Sequence, residues 1–136
     1  MSDELAFTVR MKSNFNEAHE RVVGALKQQG FGVLTQIDVQ ATMKEKLGVE
    51  FRPYVILGAC NPPLAHRALS SERRVGIMLP CNVTIEEDKD GVIVSLANPS
   101  GMLTAGDLGQ SDELQSVAIE ARQRIMAVAD ALSNAG

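Results

Sequence analysis

The sequence predicts an α+β protein of two layers, a curved and mainly antiparallel sheet with two long helices on one face. Three observations lead there. Apolar and polar residues alternate over positions 5–11 and again over 92–96, the period of half-buried strands. Leu114, Val117, Ala118, Ala121, Ile125, Val128, Ala129 and Leu132 recur at intervals of three and four, the stripe of a long amphipathic helix that needs a broad partner such as a sheet. Pro80 and the turn Asp88-Lys89-Asp90-Gly91 bend the strands and fold them back on one another. The element order is β-α-β(4)-α with short helical inserts, in a single domain spanning residues 1–136.

Taken in order, Leu5, Phe7, Val9 and Met11 form the apolar face of the first strand. Asn14 and Glu17 have capping-box spacing, and Phe15, Ala18, Val22, Ala25 and Leu26 form the stripe of a helix that Gly30 stops. His19 sits beside that stripe as a boundary residue. Phe31, Val33, Thr35 and Ile37 predict a second strand. Asp38 ends it and caps a short helix over 39–47, closed by Gly48, with Val39, Met43 and Leu47 facing inward. Lys44, Glu45 and Lys46 read as a solvated helix face, or as a basic lid over an anionic ligand.

The run 54–60 is continuously apolar and predicts a strand covered on both faces. Asn61 caps the next helix with Pro62 at its first position, and Leu64, Ala65, Ala68 and Leu69 are its stripe. Residues 75–79 predict a further strand, continued past Pro80 by Val83 and Ile85. Val92, Val94 and Leu96 return from the hairpin. Residues 98–111 predict a loop holding one buried turn at Met102 and Leu103, or a flap. Asp112 and Gln115 repeat the capping-box spacing ahead of the final helix. The connection 61–74 is long enough for a parallel crossover. A parallel crossover would place Cys60 and Cys81 on one edge, whereas an antiparallel pair could separate them by roughly 20 Å.

Composition narrows function by exclusion. The net charge is −4, with no Trp, one Tyr and four Phe, so neither a basic face nor a stacking platform for nucleic acid is expected. No apolar run is long enough to span a bilayer, and the acidic start Met1-Ser2-Asp3-Glu4 is not a secretory signal, so a cytoplasmic protein with two reduced thiols is expected.

The stretch 30–34 (Gly-Phe-Gly-Val-Leu) with Ile37-Asp38-Val39, the segment 44–48 (Lys-Glu-Lys-Leu-Gly), the Cys60-Asn61-Pro62 turn and the Leu79-Pro80-Cys81-Asn82 turn together resemble domain-of-unknown-function family 302. The resemblance implies a TATA-binding-protein-like curved sheet in small prokaryotic proteins that pair as homodimers. It implies no activity, and a fold name implies no DNA binding.

The chemistry on offer gathers at two Cys-Asn dipeptides, Cys60-Asn61 and Cys81-Asn82. Cys60 precedes a helix N-terminus, which favours thiolate, but Pro62 and Pro63 remove two N–H donors that would stabilise it. Cys81 follows a proline in an apolar setting and reads as a buried thiol. The expected site is a small-ligand or partner pocket lined by Cys60, Asn61, Cys81 and Asn82, with Asp38 and Lys46 as a polar wall. The alternative is a thiol-dependent enzyme, or a redox or metal-handling protein, using Cys60 and Cys81. No metal is expected, since Cys60, Cys81 and His66 lack ligand spacing. No cofactor is expected and no catalytic residue is assigned, since no phosphate loop, nucleophile elbow or HExxH motif is present.

Overall fold

β1 (Ala6–Met11) opens the chain in this computed structural model, which describes residues 5–135. Its alternation sends Val9 and Met11 into the core and leaves Thr8 and Arg10 outside. α1 (Phe15–Gln28) begins where Asn14 Oδ1 accepts the Glu17 N–H at 2.8 Å. It ends in a Schellman motif, with the Gly30 N–H on the Lys27 carbonyl at 3.0 Å and the Phe31 N–H on the Leu26 carbonyl at 2.9 Å. Then follow β2 (Gly32–Asp38), α2 (Val39–Leu47), β3 (Tyr54–Cys60), α3 (Pro62–Ser71), β4 (Cys81–Asp88), β5 (Gly91–Ala97), α4 (Pro99–Leu103) and α5 (Asp112–Ala135). Two 3-10 helices, Arg73–Met78 and Gly106–Gln110, fill the longer connections.

The sheet order is β1-β5-β4-β3-β2 and every pair is antiparallel. Register turns the alternation into rows. Val9, Val94, Ile85 and Val55 lie side by side across four strands, and Phe7, Leu96, Val83 and Leu57 form the next row. α1 rests on β4 and β5, and α5 on β1 and α1. Ala18, Val22 and Leu26 from α1 and Ile125, Val128 and Leu132 from α5 seal these rows. Each large side chain so buried contributes about 1.5–3 kcal/mol. The α+β, two-layer architecture expected from the sequence is therefore the one observed. The rows on the other sheet face, such as Thr8, Ser95, Thr84 and Ile56, remain half-buried or exposed.

Several expectations need correction. Residues 75–79 are not a strand. Glu72 accepts the Arg74 N–H on its carboxylate at 2.9 Å and the Val75 N–H on its carbonyl at 3.1 Å. Those local bonds wind the segment into a 3-10 helix despite its apolar residues. The strand starts at Cys81 instead, so the crossover is antiparallel. β3 is buried on one face, since Tyr54, Ile56 and Cys60 are half-exposed. α2 contains no buried residue and Leu47 is 69% exposed, because α2 lies against β3 outside both apolar clusters rather than on the sheet's core face. Leu69 and Ile37 are exposed too, the latter because β2 is an edge strand with a bulge between Val33 and Thr35. Residues 98–111 form α4 and a 3-10 turn, with Leu103 and Leu108 buried. The last helix is capped by Ser111, whose Oγ accepts the Leu114 N–H at 3.2 Å, one residue before the expected Asp112.

Candidate functional site

The ends of β3 and β4 come together because β3–β4 is antiparallel and joined through α3. Ala59 pairs with Cys81, and Cys60, one residue further, pairs with Gly32 of β2. The two cysteines, twenty-one residues apart in the chain, therefore meet at one end of the sheet. The alternation places Cys81 on the helix-covered face with Ala59, where it is buried, while Cys60 is half-buried. Burial, and then the neighbouring Cys60, push the Cys81 thiol up to about 11, so it holds its proton at neutral pH.

Asn61 fixes the corner. Its Oδ1 accepts the Leu64 N–H at 3.2 Å, capping α3, and its Nδ2 donates to the Gln29 carbonyl at 3.3 Å. The Arg124 guanidinium of α5 donates to the same carbonyl at 3.2 Å. One buried amide thus ties the start of α3 to the end of α1 and, through a shared acceptor, to α5. Gly30 is required beside it, since φ is +85° there and a Cβ would stand 2.9 Å from Asn61 Nδ2. On the other flank, a Cβ at Gly58 would fall onto Thr35 Oγ1 and within 2.8 Å of Pro80 Cγ, so only glycine lets β2 and the Leu79–Pro80 cis peptide close over β3. Arg67 of α3 spans to α5, donating to Glu113 at 3.0 Å and to Glu120 at 3.3 Å.

Between these ties lies a cavity of about 290 Å³. Cys60 and Cys81 form its sheet side, Leu64 and Ala68 its α3 side, and Val117 and Ala121 its α5 side. Leu103 also reaches it from α4, and Leu34 and Leu69, 68% and 45% exposed, stand at its solvent side. The lining includes no Asp, Glu, Lys, Arg or His. A wider groove of about 710 Å³ runs along α5, but it is open and its Arg124 and Glu120 already bond each other at 3.1 Å.

Of the residues expected at the site, Cys60, Asn61 and Cys81 line the cavity and three others do not. Asn82 faces the opposite side of the sheet, beside Thr84 and Tyr54. Asp38 lies at the far end of β2, where it caps α2 through the Ala41 N–H at 2.9 Å. Cys60 pairs with the first residue of β2, which puts Asp38 roughly 20 Å away along the strand. Lys46 is exposed on α2, and His66 is exposed on α3. Among the described residues no group of three or more His, Cys, Asp or Glu side chains is placed to hold a metal. Reading the sequence alone misses Leu34, Leu103, Val117 and Ala121. The signal available for the helical walls is the small residues Ala65 and Ala68 on one helical stripe and Ala121 on the other, all three of which line the cavity.

The family model described as "Domain of unknown function DUF302" matches residues 7–132. The chain belongs to the DUF302 family. A crystal structure of an uncharacterized conserved DUF302 protein from Bacillus stearothermophilus shares 32% identity, covering 94% of this chain and 98% of that one, with a TM-score of 0.83. A comparison with curated proteins finds no match. The DUF302 match contains every residue that lines the cavity and both cysteines. No helix among the described residues is long and apolar enough to cross a membrane.

Proposed function

We propose that this DUF302 protein is a cytoplasmic binding module that works as a homodimer and holds a small ligand in the cavity beside Cys60 and Cys81. The observation that carries the reading is the cavity's make-up. It is an apolar recess at strand ends and a helix start, walled by elements tied together by Asn61 in its lining and by Arg67 and Arg124 outside it. An apolar void of 150 Å³ is enough to hold benzene, and this one is about twice that size. Homodimerisation is supported by the outer edge of β2, the end of α2 and the residues just after it, where Leu34, Ile37, Leu47 and Val49 are all at least 44% exposed. A cytoplasmic setting is supported by two free cysteines brought to one place without a disulfide.

The thiol-enzyme alternative has less behind it. Cys81 is held protonated by burial, and no Lys, Arg or His lines the cavity to act as a base or a charge partner in thiol chemistry. Two measurements test the proposal. Benzene titrated into labelled protein should shift the amides of Cys60, Leu64, Ala68 and Val117; shifts confined to other surfaces would remove the cavity from the reading. Light scattering at micromolar concentration should give twice the 14.6 kDa chain mass, and a value at the chain mass removes the dimer.

A further inference from the structure

We infer that the cavity is built for an uncharged, mainly hydrocarbon ligand of about ten non-hydrogen atoms, with one neutral hydroxyl or carbonyl at the mouth between Leu34 and Leu69. The inference rests on the cavity reading above and names the ligand class. At roughly 30 Å³ for each liquid-packed heavy atom, a volume of about 290 Å³ takes a chain of eight to ten such atoms. Charge is excluded at both ends. Inside, no ionisable side chain other than the two thiols lines the wall, so a charged group would lose its water without gaining a partner. The Cys81 thiol itself stays neutral there. Towards solvent, the lining residues able to hydrogen bond are the Thr35 hydroxyl, the Cys60 thiol and Asn61, and the Asn61 amide is already engaged with Leu64 and Gln29. A neutral donor-acceptor suits the first two. The chain's net charge of −4 further disfavours an anion.

The void also has a cause in the sequence. Ala65 and Ala68 on α3 and Ala121 on α5 line it, and each is a position where a larger apolar residue would fill the space. A chain under no pressure to keep a recess gains stability by filling it. The bonds of Arg67 to Glu113 and Glu120 fix α3 against α5, and Asn61 fixes the start of α3 against the end of α1, so the two helical walls are held in place relative to each other.

The test uses the full chain at pH 7 with four probes: benzene, n-octanol, octanoate and octylammonium, followed by amide shifts. Octanol should bind at least about tenfold more tightly than either charged analogue, and n-hexanol about tenfold more weakly than octanol, since each buried methylene is worth roughly a factor of three to four. Ala68→Leu should abolish octanol binding and raise the melting temperature. Leu69→Glu, at the mouth but outside the surface assigned to the dimer, should weaken octanol about tenfold. Octanoate or octylammonium binding as tightly as octanol, with benzene still in the cavity, overturns the ligand class and leaves the cavity reading standing. Benzene and octanol both failing to shift the cavity amides overturns both. A lowered melting temperature for Ala68→Leu with octanol affinity unchanged places octanol elsewhere and also overturns the inference, as does octanol binding that appears only on dilution to monomer, which assigns the recess to a side chain of a second copy.

Discussion

α5 runs through two different interiors. From Ile125 to Leu132 it lies on the sheet-side core, where Val9, Leu57, Ile85, Val94 and Leu96 are 6% exposed or less. From Leu114 to Ala121 it lies in a second cluster made with α3, α4 and the 3-10 helices, where Ala68, Ala118 and Ala121 replace large side chains. The partner explains the difference. A sheet presents rows of branched side chains in fixed register, and a helix can sit flat on them. Short helices present isolated ridges, which leave a recess unless large residues fill it. The first interior supplies stability, and the second supplies the space in which a ligand can sit.

The largest expected effect tests the first interior. Ile125→Ala, at a position with no exposure, should cost about 2–5 kcal/mol in denaturant unfolding. A cost near zero would mean that α5 does not seal the sheet. At the corner between the two interiors, Asn61→Ala removes a helix cap and a buried amide bond to Gln29, and should cost about 1–3 kcal/mol. If the wild-type value survives, the corner is not held by Asn61. Alkali probes the strand end shared by both. The folded Cys81 thiol holds its proton up to about 11 against an ordinary 9.0, so its contribution is complete below pH 9 and is lost as pH rises through 11. Wild type should therefore lose on the order of 2 kcal/mol more than Cys81→Ala between pH 8 and pH 11. Parallel pH curves for the two proteins would show that Cys81 is not buried as described. The smallest effect is at the surface, where Arg10→Gln breaks an exposed pair with Asp88 and should leave the melting temperature within the scatter of repeats.

Legibility in the sequence followed the same division. Alternation in β1, β4 and β5 and the stripe of α5 marked most of the sheet-side core, because register and helical period carry those contacts, but Leu5, expected on the apolar face of the first strand, lies before β1 and is 82% exposed. Asn14, Asp38 and Asn61 announced three helix starts, each seen as a side-chain oxygen on a backbone N–H. The meeting of Cys60 with Cys81 was visible as two matching dipeptides, but its geometry was not, since it depends on the strand beginning at Cys81 rather than at Val75. That boundary is decided by Glu72 bonding its own neighbours, a contest between local bonds and β propensity that composition does not reveal. Pattern alone does not separate Asp38, Lys46 and Asn82 from the cysteines: the length of β2 puts Asp38 at the far end of the sheet, Lys46 lies on α2, and the pleat turns Asn82 to the opposite face.

The pairing of β1 with β5 has a consequence for the order in which the protein can be made. Met11 pairs with Val92, so the first strand leaves the ribosome long before its partner exists. At 5–20 residues per second, the roughly 80 residues between them take about 4–16 s to add. β4 and β5 are joined by a tight turn, with Asp88 opposite Gly91, and can pair within microseconds of emerging. The nascent chain thus holds Val9, Met11 and the apolar stripe of α1 without their sheet for several seconds, and α5, which covers β1, arrives last of all. Ribosome-bound chains ending near residue 90 should be cut by protease within β1, whereas chains long enough to expose α5 should be protected there.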